Sequence, residues 1–214
     1  MKDKLLCSMA IIGGFSLATN LTYASTPPPP RLNLCYTYYI DAYAGIPQIT
    51  STNYPGGNNY NMPSSRLGFG LDIGYKLQPF FAAEMGFNSY YLVANYDVRI
   101  YNSANDLAGQ ARHYSIFGAA KFIMPIQPIS VELFAKLGAA AVVQQIFNTN
   151  NTAATSIDLS SNSKTAYGPY FGIGASYFFI PGMAGTIQWS RANGNSSTGA
   201  ATLYAAGLTF SFPA

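Results

Sequence analysis

Residues 66–77 read RLGFGLDIGYKL, in which Leu67, Phe69, Leu71, Ile73, Tyr75 and Leu77 alternate strictly with Arg66, Gly68, Gly70, Asp72, Gly74 and Lys76. A period of two means a β-strand. One face is apolar over about ten residues, the length a tilted strand needs to cross a bilayer. In a water-soluble sandwich the opposite face would carry lysine, glutamate and threonine against solvent. Here it is mainly glycine with paired charge, which suits a narrow lumen.

The pattern repeats along the chain. In residues 80–91 Phe81, Ala83, Met85 and Phe87 face out, against Ala82, Glu84, Gly86 and Asn88. From Arg112 to Met124, Tyr114, Ile116, Gly118, Ala120 and Phe122 face out, with His113, Ser115, Phe117, Ala119 and Lys121 inward. Residues 131–143 set Val131, Leu133, Ala135, Leu137 and Val143 outside and Glu132, Phe134, Lys136 and Gly138 inside. Residues 166–180 alternate Phe171, Ile173, Ala175, Tyr177 and Phe179 with Tyr170, Gly172, Gly174 and Ser176. Segments 35–45, 185–192 and 202–212 bring the expected count to eight strands. Short turns near Gln78, Gln127 and Gly182 fall on one rim; longer polar segments at 46–64, 92–110, 146–164 and 193–199 fall on the other. Short periplasmic turns and longer external loops orient an outer-membrane barrel. Asn-, Ser-, Thr- and Gly-rich stretches such as NYPGGNNYN have little apolar surface with which to fold alone, and the loops are expected to be mobile.

Aromatic residues recur near the strand ends, at Tyr36, Tyr38, Phe81, Tyr90, Tyr114, Phe122, Tyr167, Phe179, Trp189 and Phe210, as two girdles at headgroup level require. In hydrocarbon each unpaired backbone group costs several kcal/mol, so strands that face lipid persist only in a sheet without edges. The expected fold is therefore all-β: a closed, antiparallel, eight-stranded, up-and-down transmembrane barrel. Eight strands leave an interior just wide enough for side chains to fill.

The first 24 residues have a basic start, an apolar centre from Leu5 to Leu17 and small residues before Ala24, the form of a cleavable secretory signal. Residues 25–34, with Pro27 to Pro30, read as a proline-rich periplasmic lead-in, and 35–214 as the barrel. Charged residues are 9% of the chain, against about 25% in ordinary soluble domains. Of the formal charge of +3, one unit comes from Lys2, Asp3 and Lys4, and the remaining basic residues are scattered, so nucleic acid is not an expected partner. Cys35 is alone once Cys7 is removed with the signal, and His113 is the one histidine; neither a disulfide, a zinc site nor any other cofactor is expected.

These strands, with LFAKLGAAAV at 133–142, TIQWSRANG at 186–194 and TLYAAGLTFSF at 202–212, resemble the OmpA-like eight-stranded outer-membrane barrels over essentially the whole mature chain. The resemblance implies residence in the outer membrane of a Gram-negative bacterium. It also implies contact with outer-membrane lipids and lipopolysaccharide, and a C-terminal aromatic read by the outer-membrane assembly machinery. Phe212 fits that role, followed by Pro213 and Ala214. The fold hosts anchors, adhesins, narrow channels and a few lipid-modifying enzymes, so it does not choose among them.

Inward positions collect Asp72, Lys76, Glu84, Lys121, Glu132 and Lys136, three of each sign. In a lumen with little water, charges are costly unless paired, so the set reads as an interior salt-bridge network. The functional version is a gate in which the pairs switch partners. A register pairing Pro125 with Pro128 would place Lys121 opposite Glu132. His113 and Ser115, two apart on one face, faintly resemble the His-x-Ser site of lipid A deacylases, with Glu132 as an orienting group. A lumen histidine is the plainer reading, and no catalytic residue is assigned. The expected function is a non-enzymatic, monomeric envelope protein that presents its external loops to surfaces, host factors or phage. The alternative is a small porin-like or hydrophobic-ligand channel, for which inward Gly68, Gly70, Gly74, Gly172 and Gly174 would leave open volume.

Overall fold

A computed structural model describes residues 36–50, 60–61, 67–91, 98–101, 107–148 and 163–213. The signal peptide and lead-in expected at 1–24 and 25–34 lie outside these residues. Among the described residues the chain forms β1 (Tyr36–Thr50), β2 (Tyr60–Asn61), β3 (Gly68–Gln78), β4 (Phe81–Ser89), β5 (Val98–Tyr101), β6 (Leu107–Ile126), β7 (Val131–Asn148), β8 (Ser163–Ile180), β9 (Met183–Asn193) and β10 (Ala200–Pro213). Eight long strands pair antiparallel in the order β6-β4-β3-β1-β10-β9-β8-β7, and β7 pairs with β6 again, so the sheet closes. Each long strand lies beside its successor, and β1 meets β10 from Tyr36↔Pro213 to Thr50↔Ala200. The expected eight-stranded barrel is the observed one.

The two short strands stand above one edge. β5 pairs with the first residues of β6, from Val98↔Ala111 onward, and β2 pairs with β5. Strand pairing thus reaches into segments the sequence assigns to loops: β1 runs to Thr50, β6 begins at Leu107, β7 ends at Asn148 and β8 begins at Ser163. Polar residues continue a ladder above the lipid because the backbone, not the side chain, supplies its bonds. The β9–β10 connection makes hydrogen bonds of its own. Asn195 Oδ1 accepts from the backbone N–H of Ser197 at 2.9 Å and of Thr198 at 3.1 Å, while Gly194 N donates to Gly199 O at 2.9 Å. Gly199 takes a left-handed φ of 69°, which glycine adopts without strain. This is an Asx-type turn.

Alternation then assigns the faces. Asp72 is fully buried while Leu71 and Ile73 beside it are exposed. Met85 and Ile187 each show 64% of their surface, the exposure that lipid tails cover. A charge at the bilayer midplane would cost about 2–4 kcal/mol. None of the described outward positions in the middle of the strands carries one. Outside, aromatic pairs such as Phe81 with Phe122 (5.5 Å between centroids) and Tyr38 with Tyr75 (4.9 Å) lie across neighbouring strands on the turn side. Tyr90 departs from the expected girdle: two residues past Asn88, it keeps the inward parity of β4 and lies in the lumen, where its hydroxyl sits 2.9 Å from Ser115 Oγ.

The interior is packed. Tyr39, Ala82, Ile123 and Phe134 form one buried cluster, Phe117, Ala140, Val142, Tyr170 and Ala192 a second, and Tyr43, Ile49, Tyr90, Ala201, Leu203 and Ala205 a third. The inward glycines do not leave open volume. A Cβ on Gly70 would collide with the Tyr43 ring, on Gly74 with Tyr39, and on Gly174 with Phe134. Gly172 lies against the Lys136 stem, and Gly68 against Ser89 and Leu203. Each glycine is a notch that a large neighbour fills, which is how a narrow barrel accommodates tyrosines inside.

Candidate functional site in the lumen

The alternation that gives β3 an oily outer face sends Asp72 inward, and the same parity sends Asp41, Glu84, Lys121 and Lys136 inward from β1, β4, β6 and β7. All five are nearly inaccessible. Lys136 Nζ lies 2.7 Å from Asp72 Oδ2 and also contacts Glu84 Oε1. Lys121 Nζ lies 3.0 Å from Asp41 Oδ2 and 3.3 Å from Glu84 Oε2. Glu84 therefore bridges the two ammoniums. The bridge answers a problem of register, because Lys121 stands directly opposite Lys136 across β6 and β7. Like charges so placed repel, and an interposed carboxylate reverses the sign.

Aromatic side chains enclose the cluster. Tyr39 donates its hydroxyl to Glu84 Oε2 at 2.9 Å, and Tyr43 Oη is 2.7 Å from Asp72 Oδ1 and 2.7 Å from the Asn88 amide. Lys121 Nζ sits 4.3 Å from the Tyr39 ring centre and 4.5 Å from that of Phe134, so both rings present their negative faces to the charge. Phe117 and Tyr170 stack at 3.8 Å with 11° between their planes. Charges withdrawn from water persist when their remaining donors and acceptors are satisfied. Here phenols and carboxylates largely do so.

The second pair is separate. Lys76 Nζ binds Glu132 at 2.9 and 3.3 Å, nearer the rim of short turns. The register behind it corrects the expected one. Pro125 pairs with Glu132, not with Pro128, because a 3-10 turn at Gln127–Ile129 and Ser130, at a left-handed φ of 54°, occupy the connection. Lys121 is thus displaced from Glu132 and bonds Asp41 and Glu84 instead. Asp41 is the member that sequence reasoning passed over. Its signal was present in the inward series Tyr39, Asp41, Tyr43, all buried, within the weakly patterned first strand.

Asp41, Asp72 and Glu84 bring carboxylate oxygens within 4.8 Å of one another, as a metal site would. Lys121 and Lys136 already engage all three carboxylates, so this donor set does not call for a cation. His113 and Ser115 share the inward face of β6, both fully buried, with Ser115 engaged by Tyr90. Glu132 is bound to Lys76 and stands opposite Pro125, near the other end of β6, so it does not orient His113. Phe212 lies on the outer face beside the first strand, in register with Tyr38.

A closed barrel with a lipid-facing oily surface and a bonded polar interior defines a small outer-membrane protein, and this chain resides in the bacterial outer membrane. It matches the OmpA-like transmembrane domain over residues 35–190 and belongs to that family. Three solved structures show the same fold. Ail, the attachment invasion locus protein of Yersinia pestis, is 14% identical, with a TM-score of 0.53 and 83% of this chain aligned to 99% of that one. Neisserial surface protein A is 14% identical, with a TM-score of 0.55 over 82% and 97% of the two chains. The outer membrane protein OprG from Pseudomonas aeruginosa is 12% identical, with a TM-score of 0.57 over 87% and 99%. No curated protein matches the chain.

Proposed function

We propose that this is a plugged, non-enzymatic barrel whose work is done outside its lumen, as an envelope component that presents its loop side to surfaces or host factors. The observation behind this reading is the charge cluster itself. Five buried ionic side chains from five different strands tie the wall together across its middle, and tyrosine and phenylalanine rings fill the space beside them. Among the described residues, an interior so occupied leaves no room for a substrate beside the cluster. The inward placement of His113 and Ser115 argues against ester hydrolysis on a lipid, which would need both groups on the outer face. The likeness to the attachment protein of Yersinia pestis, at 14% identity, lends the fold and not its ligand. The assembly machinery as a partner reading Phe212, and the monomeric state, belong to the same proposal.

Planar-bilayer recording of the refolded chain tests it: silence is the expected result, and sustained ohmic steps overturn the plug. Replacing residues 149–162 by a two-residue turn should keep the barrel heat-modifiable on gels while lowering adhesion of expressing cells to host cells; unchanged adhesion would remove that loop from the role. His113→Ala should leave the lipid A mass profile unaltered. A narrow water path is the second reading. It is favoured by Gln188 on β9, whose buried amide finds no hydrogen-bond partner among the described residues beside the notch at Gly174. The same recording decides it.

A further inference from the structure

The inward polar side chains divide the barrel wall in two. The central charge cluster stands on β1, β3, β4, β6 and β7, whereas β8, β9 and β10 face it with buried hydroxyls. Three of these touch in a row: Ser176 Oγ lies 2.8 Å from Thr186 Oγ1, which lies 2.6 Å from Thr209 Oγ1. The row ends between two acids. Ser176 pairs with Glu132 across β7 and β8, and Thr209 pairs with Asp41 across β10 and β1. Side chains so paired leave Cβ atoms about 5 Å apart, within the reach of a rotamer change at either end. At the inner end Asp41 Oδ1 is buried and accepts no hydrogen bond among the described residues. At the outer end Glu132 keeps 8% of its side-chain surface beside Lys76, near the short-turn rim.

Each hydroxyl brings one proton and can accept another, so the two bonds of the row use two of its three protons. The third points out of one end, toward Glu132 or toward Asp41 according to the direction in which the row is turned. Among the described residues no comparable path leads to the loop side. There the cluster continues from Asp72 through the Tyr43 hydroxyl to Asn88 Oδ1, and an amide oxygen has no proton to hand on. Tyr43, Ile49, Tyr90, Ala201, Leu203 and Ala205 close the lumen on that side. The cluster also has a use for a proton. Asp41, Asp72 and Glu84 set three carboxylates against the two ammoniums of Lys121 and Lys136, one negative charge in excess within a wall that water hardly reaches.

We propose that Ser176, Thr186 and Thr209 form a proton relay between the short-turn rim and the central cluster, so that the charge of the plug follows acidity on the periplasmic side. When Glu132 is protonated, its proton passes to Ser176 Oγ, the Ser176 proton to Thr186, the Thr186 proton to Thr209 and the Thr209 proton to Asp41 Oδ1. Each hydroxyl ends with one proton, Glu132 is ionised again beside Lys76, and Asp41 is neutral; rotation of the three hydroxyls resets the row. Asp41 receives the proton facing Lys121 of β6, Asp72 of β3, Glu84 of β4, Lys136 of β7 and, on its own strand, Tyr39 and Tyr43. No ion crosses, so the relay operates in a barrel that is silent in bilayer recording, whatever the loops contact.

The refolded chain in detergent is brought from neutral pH to below the ordinary carboxylate range by rapid mixing, and the infrared band of protonated carboxyl is timed. Exposed carboxylates protonate during mixing, and the slower phase belongs to the lumen. Thr186→Val keeps the side-chain shape without the hydroxyl and should slow that phase at least about tenfold while leaving its final height unchanged. Thr186→Ser, which retains the hydroxyl, should restore the rate. Asp41→Asn should abolish the phase. An unaltered rate in Thr186→Val overturns the proposal, as does a rate that Thr186→Ser fails to restore, or a slow phase of full height in Asp41→Asn. A change of height with no change of rate means that the hydroxyls only pack the wall, and overturns it equally. Heat-modifiability on gels shows which variants are folded; should Thr186→Val or Asp41→Asn fail, Ser176→Ala and Thr209→Val break the row at its other links and decide in their place.

Discussion

Lys136 and Lys76 are both inward lysines bound to carboxylates, yet they occupy different situations. Lys136 is held by two acids in the middle of the lumen with no accessible side-chain surface, and its partner Glu84 is itself shared with Lys121 and Tyr39. Lys76 has one partner, Glu132, near the short-turn rim, and each side chain retains 8% of its surface. The first arrangement is a network that fails as a unit. The second is a pair that solvent can partly replace. The contrast teaches that inward parity alone does not set the worth of a charge; the number of partners and the distance from the rim do.

The sharpest way to break this comparison is Glu84→Leu, which leaves two buried ammoniums facing each other. It should cost about 3–5 kcal/mol in urea unfolding from detergent micelles, or prevent refolding outright. Met85→Arg changes the next residue but the opposite face, putting a cation into lipid for an expected loss of about 2–4 kcal/mol. If Met85→Arg proves harmless while Glu84→Leu does not, the wall does not face hydrocarbon. Glu132→Gln should cost less, about 1–2 kcal/mol, between the values of exposed and fully buried pairs. The exchanged pair Lys76→Glu/Glu132→Lys should recover most of that loss in a double-mutant cycle, since the rim tolerates either polarity. The smallest effect is ionic. Raising salt to about 1 M, where screening acts over about 3 Å, should weaken the Lys76–Glu132 contribution in that cycle and leave the Glu84 effect unchanged.

How much of this was legible in the chain follows from which interactions are local. Alternation is local, so residues 66–77 disclosed their lumen and lipid faces without a partner strand in view, and Asp72, Lys76, Glu84, Lys121, Glu132 and Lys136 could all be assigned inward. Pairing is not local. The partners of Lys121 depend on how many residues the β6–β7 connection consumes, and a 3-10 turn followed by Ser130 consumes more than the prolines suggested. That difference replaces Glu132 with Lys136 across the ladder. Asp41 escaped because its partner lies on β6, far along the chain, and a strand rich in tyrosine on both faces has little contrast to read. Tyr90 was misplaced for a different reason: an aromatic residue at a strand end fits a girdle by type, although the parity it shares with Glu84 and Asn88 already points it inward. The glycines were readable as small but not as sockets, because the occupant of each notch comes from elsewhere: Tyr39 and Tyr43 of β1 for Gly74 and Gly70, and Phe134 of β7 for Gly174.

Those sockets constrain how such a barrel can change over time. A methyl group at Gly74 demands a smaller residue at position 39, and a smaller residue there strips Glu84 of its phenol, so one tolerated exchange draws at least two others with it. The lipid-facing wall has no such bookkeeping, because one oily side chain serves the membrane as well as another. Descendants of this chain should therefore diverge freely on the outside and in linked sets on the inside, with glycine and tyrosine trading places across neighbouring strands.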